Sequence, residues 1–229
     1  MNNATFFFNQ PKNEPVFSYA KGSKERDLLS KELEKQYNQC IEIPIIINGK
    51  EIRTGNVSEV VMPTEHSHVL AKFHKADKET VQKAIEAALE ARKQWENVHW
   101  IDRCSIMLRA AELLAGKYRY VINAATMLGQ GKNPFQAEID SACETIDFLR
   151  FNVHYASKIY AQQPLSDNSA INRLEYRGLE GFVYAISPFN FTSIACNLNI
   201  SPVLMGNVTV WKPATTAVLS NYYLMKILQ

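Results

Sequence analysis

The sequence predicts an α/β fold that opens with helices and reaches only its first parallel strand–helix–strand unit. Three observations predict it. The apolar run 182–186 leads into the polar turn Ser187-Pro188-Phe189-Asn190-Phe191-Thr192. A second apolar run, 208–211, leads into Lys212-Pro213. The residues between, from Phe191 to about Leu204, are long enough for one crossover helix, and such connections join parallel strands. Ligands of these units collect at the carboxyl ends of the strands, which would bring Asn190 and Lys212 to one rim. An uncharged amide and an ammonium there suit a substrate oxyanion and a cofactor hydroxyl or phosphate. Taken singly, each is ordinary: Pro-x-Asn is a common turn because Asn tolerates left-handed backbone, and a Lys after a strand is usually solvated. The pair is what points to a site.

The remaining elements follow in order. Residues 1–20 are rich in Asn and Pro and are expected to lie extended over the surface. Residues 24–37 carry Leu28, Leu29 and Leu33 among alternating charges, the spacing of a helix packed on one side. Ile43-Pro44-Ile45-Ile46-Ile47, Asn48-Gly49 and Lys50-Glu51-Ile52 read as a β-hairpin, because both central residues of a type I′ turn need positive φ. Residues 57–62 and 69–73 read as further strands, broken at Pro63. Asp77 can cap a helix through Ala84, Ala87, Ala88 and Ala91 that ends at Trp95. A second helix, 102–115, is expected to turn Ile106, Leu108, Ala111 and Leu114 inward, and a third spans 118–128. Gly129-Gln130-Gly131-Lys132 lacks the spacing of a phosphate loop and reads as an interhelical turn. Pro134 sits at a first helical position. From there a long helix runs to about Tyr160, with Ala142, Ile146, Leu149, Val153 and Ala156 inward. Residues 174–177 read as a short strand and 178–181 as the bend into the parallel unit. Residues 215–229 form an apolar final helix without a stop signal. The strand 208–211 is left as an uncovered apolar edge, which native sheets seldom tolerate, so the domain reads as cut short.

Composition narrows the function. The 25 basic and 23 acidic residues give a net charge of only +2, with no basic block, which argues against nucleic-acid or membrane-surface binding. No apolar run approaches the length of a membrane span. The start, MNNATFFFNQPKNEP, has neither a secretory pattern nor the Arg-rich pattern of a presequence, so a cytoplasmic location is expected. Cys40, Cys104, Cys143 and Cys196 are widely spaced and read as reduced thiols. His66 and His68 would share a strand face, but nothing supplies further ligands, so no metal is expected. Cys196 follows Asn190 by six residues in the apolar context of the crossover helix, without a His neighbour or a helix N-terminus to activate it. It reads as a packing residue, not a nucleophile.

The Pro-aromatic-Asn turn followed by a Trp-Lys-Pro strand end resembles the aldehyde dehydrogenase superfamily. The stretches GSKERDLLSKEL, IEAALEARKQW, GQGK, QAEIDSACETIDFLRFN, YRGLEGFVYAISPFNFTSI and LMGNVTVWKP are similar to its 1-pyrroline-5-carboxylate dehydrogenase branch. The likeness runs along nearly the whole chain and corresponds to the family's N-terminal portion. It implies a Rossmann-type cofactor domain with bridging strands: 1–40 an extension and short helix, 41–180 the helical part with bridging strands, and 181–229 an incomplete first βαβ unit. It implies oxidation of L-glutamate γ-semialdehyde to L-glutamate in proline breakdown, by a cysteine thiolate, hydride transfer to a nicotinamide cofactor and a glutamate-activated water.

By the same resemblance Asn190 is the amide donor to the tetrahedral oxyanion. Ser187, Pro188 and Phe189 lie beside the cofactor, Lys212 reaches the adenosine ribose, and Pro213, Ala214 and Thr215 continue that wall. Glu144 and Phe191 are candidates for lining the aldehyde passage, against plainer readings as a helix ion pair and a core aromatic. Where many relatives carry an acid three positions after the lysine, this chain has Thr215, which removes a group that repels a 2′-phosphate. NAD is the expected cofactor, with NADP left open. The glycine-containing cofactor turn, the glutamate base and the nucleophilic cysteine belong to the portion this chain lacks, so the chain alone is expected to be inactive and the full-length protein a homo-oligomer. Two alternatives stay open: a non-catalytic product that binds a full-length partner or a nucleotide, and a dehydrogenase for a different aldehyde.

Overall fold

A computed structural model describes residues 6–229, so the part of the expected surface extension that falls on residues 1–5 lies outside the described residues. Residues 6–20 hold no regular element, yet they are anchored. The Phe8 N–H donates to Ser157 Oγ, the Glu14 N–H to Asp147, and the Phe17 N–H to Glu138. Helix α1 (Lys24–Tyr37) starts at Ser23, whose hydroxyl accepts the Arg26 N–H.

Pro44 has no N–H to donate, and it divides the expected strand 43–47 into two. Strand β1 (Ile41–Ile43) pairs in parallel with β5 (Glu65–His74), while β2 (Ile45–Ile47) turns back on β3 (Lys50–Ile52). The hairpin turn is as expected: Asn48 and Gly49 both have positive φ, 49° and 73°. Strand β4 (Val57–Met62) runs antiparallel to β5, with register shifts around Val61, giving the sheet order β1-β5-β4. Strand β5 is longer than the sequence indicated and takes in His66 and His68.

Helix α2 (Lys78–Trp95) is capped by Asp77, which accepts the Thr80 N–H and hydroxyl at 2.8 and 2.7 Å. Helix α3 (Trp100–Ala115) buries Cys104, Met107, Ala111 and Leu114, whereas Ile106 is 48% exposed, against expectation. The apolar stripe runs 104–107–111–114, and Ile106 falls about a hundred degrees off it. Helix α4 (Arg119–Gln130) ends at Gly131, whose φ of 66° is the left-handed C-cap that glycine adopts without strain. Then α5 (Pro134–Ala137) passes through a π-helical turn, Glu138–Cys143, into α6 (Glu144–Tyr160). Ala142, Ile146, Leu149, Val153 and Ala156 are all buried along it.

No strand forms at 174–177. Leu174 gives its N–H to the Gln163 side chain instead of to a neighbouring strand. Strands β6 (Val183–Ile186) and β7 (Thr209–Lys212) then pair in parallel, Ile186 opposite Lys212, with α7 (Thr192–Leu204) as the crossover. Helix α8 (Val218–Leu228) follows one 3₁₀ turn, Thr215–Ala217. The principal core gathers α3, α4, α6, α7 and α8 around Leu114, Ile122, Ile146, Leu149, Cys196 and Leu224. A second core joins the three-stranded sheet to α4 and α8 through Leu70, Ala71, Ala125 and Leu219.

Candidate active-site rim

The carboxyl end of β6 stops at Ile186 because Pro188, two residues on, cannot continue a ladder. Ser187 is buried, and its hydroxyl accepts the Trp211 indole N–H at 3.0 Å, which fixes the start of the turn to β7. The Ser187 N–H donates to the Lys212 carbonyl at 3.3 Å. The turn then rises into solvent. Phe189 is 70% exposed, Asn190 is exposed, and Phe191 drops back to begin α7.

Among the described residues the Asn190 side-chain amide has no hydrogen-bond partner, whereas its backbone carbonyl accepts from Lys132 Nζ. An exposed, uncommitted amide on a fixed backbone is what a donor to a developing oxyanion requires. Lys212 stands on the neighbouring strand end, exposed and without an ion pair among the described residues. Pro213 and Ala214 are half-buried beside it, and Thr215 is exposed. An unpaired ammonium followed by a small, uncharged wall fits the ribose and phosphates of a dinucleotide.

The structure sorts the candidates into two neighbouring groups. Phe189, Asn190 and Thr215 line one surface cleft, with Lys132, His66 and Thr216. Lys212 is held at the rim by the β6–β7 register and does not line that cleft. The Thr216 hydroxyl donates to the Phe189 carbonyl at 3.3 Å, tying the two turns together. Glu144 is half-buried, and its Oε2 accepts the Ser193 hydroxyl at 2.7 Å, so it faces the first turn of α7 beneath Asn190. Lys132 Nζ sits 4.6 Å over the Phe191 ring.

Sequence reasoning missed Lys132 and Asp140. Asp140 lies in the π-helical turn with its side chain only 4% exposed, ion-paired to Lys132. Its carboxylate accepts the Thr192 N–H at 3.2 Å, the Ser193 N–H at 3.1 Å and the Ser193 hydroxyl at 3.0 Å. A serine hydroxyl has one hydrogen, so Ser193 serves Asp140 and Glu144 one at a time. A carboxylate at a helix N-terminus is favoured by the helix dipole. The signal for Asp140 in the sequence was weak, since an acid in the middle of a long helix ordinarily reads as solvated.

Cys196 is fully buried in α7, and burial pushes its thiol up to about 12, so it is a packing residue.

Comparison with known proteins follows the same lines. Residues 51–229 match the model of the aldehyde dehydrogenase family. The chain is 53% identical over 227 residues to delta-1-pyrroline-5-carboxylate dehydrogenase of Agaricus bisporus, covering 98% of this chain and 42% of that protein. It is 50% identical over 217 residues to the mitochondrial delta-1-pyrroline-5-carboxylate dehydrogenase of Homo sapiens, covering 95% and 38%. The crystal structure of the Mycobacterium tuberculosis delta-pyrroline-5-carboxylate dehydrogenase bound with NAD superposes with a TM-score of 0.96 at 46% identity, over 99% of this chain and 43% of that one. The Thermus 1-pyrroline-5-carboxylate dehydrogenase with bound NAD gives 0.88 at 27% identity, over 97% and 43%. The chain thus spans about two-fifths of the length of the relatives it matches. By sequence, by fold and by the turn that carries Asn190, this chain belongs to the aldehyde dehydrogenase family.

Proposed function

We propose that this chain supplies the oxyanion donor and one wall of the cofactor site of an NAD-dependent dehydrogenase that oxidises L-glutamate γ-semialdehyde, the open form of 1-pyrroline-5-carboxylate, to L-glutamate. The observation that carries it is the Asn190 amide, exposed and uncommitted on a backbone fixed from both sides. The substrate class rests on the delta-1-pyrroline-5-carboxylate dehydrogenases that share about half of this sequence.

When bound, the nicotinamide cofactor accepts the hydride. The residues of this chain bind and orient. Asn190 donates a hydrogen bond to the aldehyde oxygen as it gains negative charge, and Lys212 holds a ribose hydroxyl or phosphate. Pro213, Ala214 and Thr215 form the wall against which the adenosine lies. Phe189, 70% exposed beside Asn190, offers an apolar surface to a bound ligand, while the Phe191 ring lies under the Lys132 ammonium. Ser187 acts through Trp211, locking the two strand ends in register. Thr215 leaves room for a 2′-phosphate. The NAD-bound Mycobacterium tuberculosis and Thermus structures favour NAD, and parallel titrations with NAD and NADP decide the point.

Homo-oligomer formation and a cytoplasmic location belong to the same proposal. The Dictyostelium discoideum and Homo sapiens relatives are named mitochondrial, so fractionation of cells expressing the chain chooses between compartments. The activity is tested in a hybrid that joins residues 1–229 to the remaining C-terminal part of the Agaricus bisporus relative. NADH formation from glutamate semialdehyde is expected, while residues 1–229 alone give none. Turnover by residues 1–229 alone would overturn the division of labour proposed here.

A further inference from the structure

Two neighbouring segments meet a third, about fifty residues further along the chain, beside Asn190. Lys132 comes from the turn between α4 and α5, Asp140 from the π-helical turn, and Thr192 and Ser193 from the start of α7. The first N–H groups of a helix have no acceptor within it. Phe191, at the N-cap of α7, has no side chain that could serve them. Asp140 therefore caps α7 from about fifty residues away in the chain, one oxygen toward each of the first two amides. Lys132 bridges the cap to the turn: its ammonium contacts the Asp140 carboxylate and the Asn190 carbonyl, and lies over the Phe191 ring. Residues 190 to 193 are thus each gripped by this pair.

We infer that Lys132 and Asp140 are positioning residues for Asn190, fixing the direction in which its amide donates. The inference rests on the proposed role of Asn190 as oxyanion donor. A donor to an oxyanion acts only from the right place, and a misplacement of about 1 Å costs on the order of 100-fold in turnover. The pair touches the Asn190 backbone and leaves its side-chain amide free. Its loss is therefore expected to lower kcat with little change in KM, because the substrate's other contacts persist.

The test has two arms. In the 229-residue chain, Lys132→Met and Asp140→Asn are compared with the parent by ¹⁵N relaxation and amide hydrogen exchange. The expected result is new mobility at Asn190 and faster exchange at Thr192 and Ser193, with protection along α3 and α6 kept and Lys132→Arg restoring order. Unchanged order at Asn190, or protection lost evenly across α3 and α6, would overturn the inference, the latter because it marks a merely structural role. In the hybrid with the Agaricus bisporus C-terminal part, the same variants are expected to lose about 100-fold in kcat at nearly constant KM; unchanged kcat contradicts positioning. A folded but inactive parent hybrid counts against the proposed function, and the exchange arm still decides whether the pair fixes the turn.

Discussion

Arg119 and Glu138 form the most deeply buried ion pair among the described residues, their side chains 1% and 0% exposed. Burial alone would raise the Glu138 carboxyl, but hydrogen bonds from Arg119, the Tyr19 hydroxyl and the Phe17 N–H outweigh it and hold it below the usual carboxylate range. A depressed carboxylate contributes stability that is fully present above its unfolded value, here 4.5, and is lost as the pH falls through the folded value. Glu138→Gln is therefore expected to flatten the acid limb of a stability–pH profile below that point. Because it leaves Arg119 buried with only part of its partners, it should also cost about 3–5 kcal/mol at neutral pH, measured by urea unfolding. The cysteines give a second expectation at this scale. Cys40 is exposed, whereas Cys104, Cys143 and Cys196 are buried, and burial is the main cause that pushes each of those thiols up to about 12. A thiol reagent should label Cys40 quickly in the native chain and reach the other three only on unfolding.

At the scale of elements, periodicity made most helices legible, because a stripe of Ala and Leu at helical spacing has one way to bury itself. The βαβ unit was legible for a related reason: two apolar runs with a helix-length gap leave little choice of connection. What escaped depends on contacts between distant segments. The π-helical turn Glu138–Cys143 lies at the head of the stripe 142–146–149–153–156, whose spacing is ordinary α-helical and does not mark it, yet it brings Glu138 to the N-terminal residues and Asp140 to α7. The expected strand 174–177 failed because a strand needs a neighbour, and Gln163 took the Leu174 N–H. The placement of Asn190 and Lys212 after adjacent parallel strand ends was legible in the sequence, while the Lys132–Asp140 contacts to residues 190–193 were not, since Lys132 looked like the end of a turn. A further expectation attaches to the bend before β6. A Cβ on Gly178 would lie 2.6 Å from the Gly206 carbonyl oxygen, where the chain leaves α7. Gly178→Ala should therefore push the bend from Gly206 and Asn207, at a cost of about 1–3 kcal/mol in thermal or urea unfolding. An unchanged midpoint would mean that the two segments separate freely.

Across the whole molecule, one core packs the helices together and a second joins α4 and α8 to the three-stranded sheet, while the β6–β7 pair contributes two parallel strands with Tyr184 and Ile186 55% and 59% exposed. The chain matches about 40% of the length of its relatives, and it carries the Asn190 and Lys212 rim within that share. Turnover is accordingly proposed only where the remaining part of such a relative is also present, with Asn190 as the proposed oxyanion donor. The most direct measurement is kcat for glutamate semialdehyde in the hybrid with the Agaricus bisporus C-terminal part, with and without Asn190→Ala. An active parent and a loss of roughly 10²–10³-fold, about 2.7–4 kcal/mol of transition-state stabilisation, is the expected result. An Asn190→Ala hybrid that turns over as fast as its parent would contradict it.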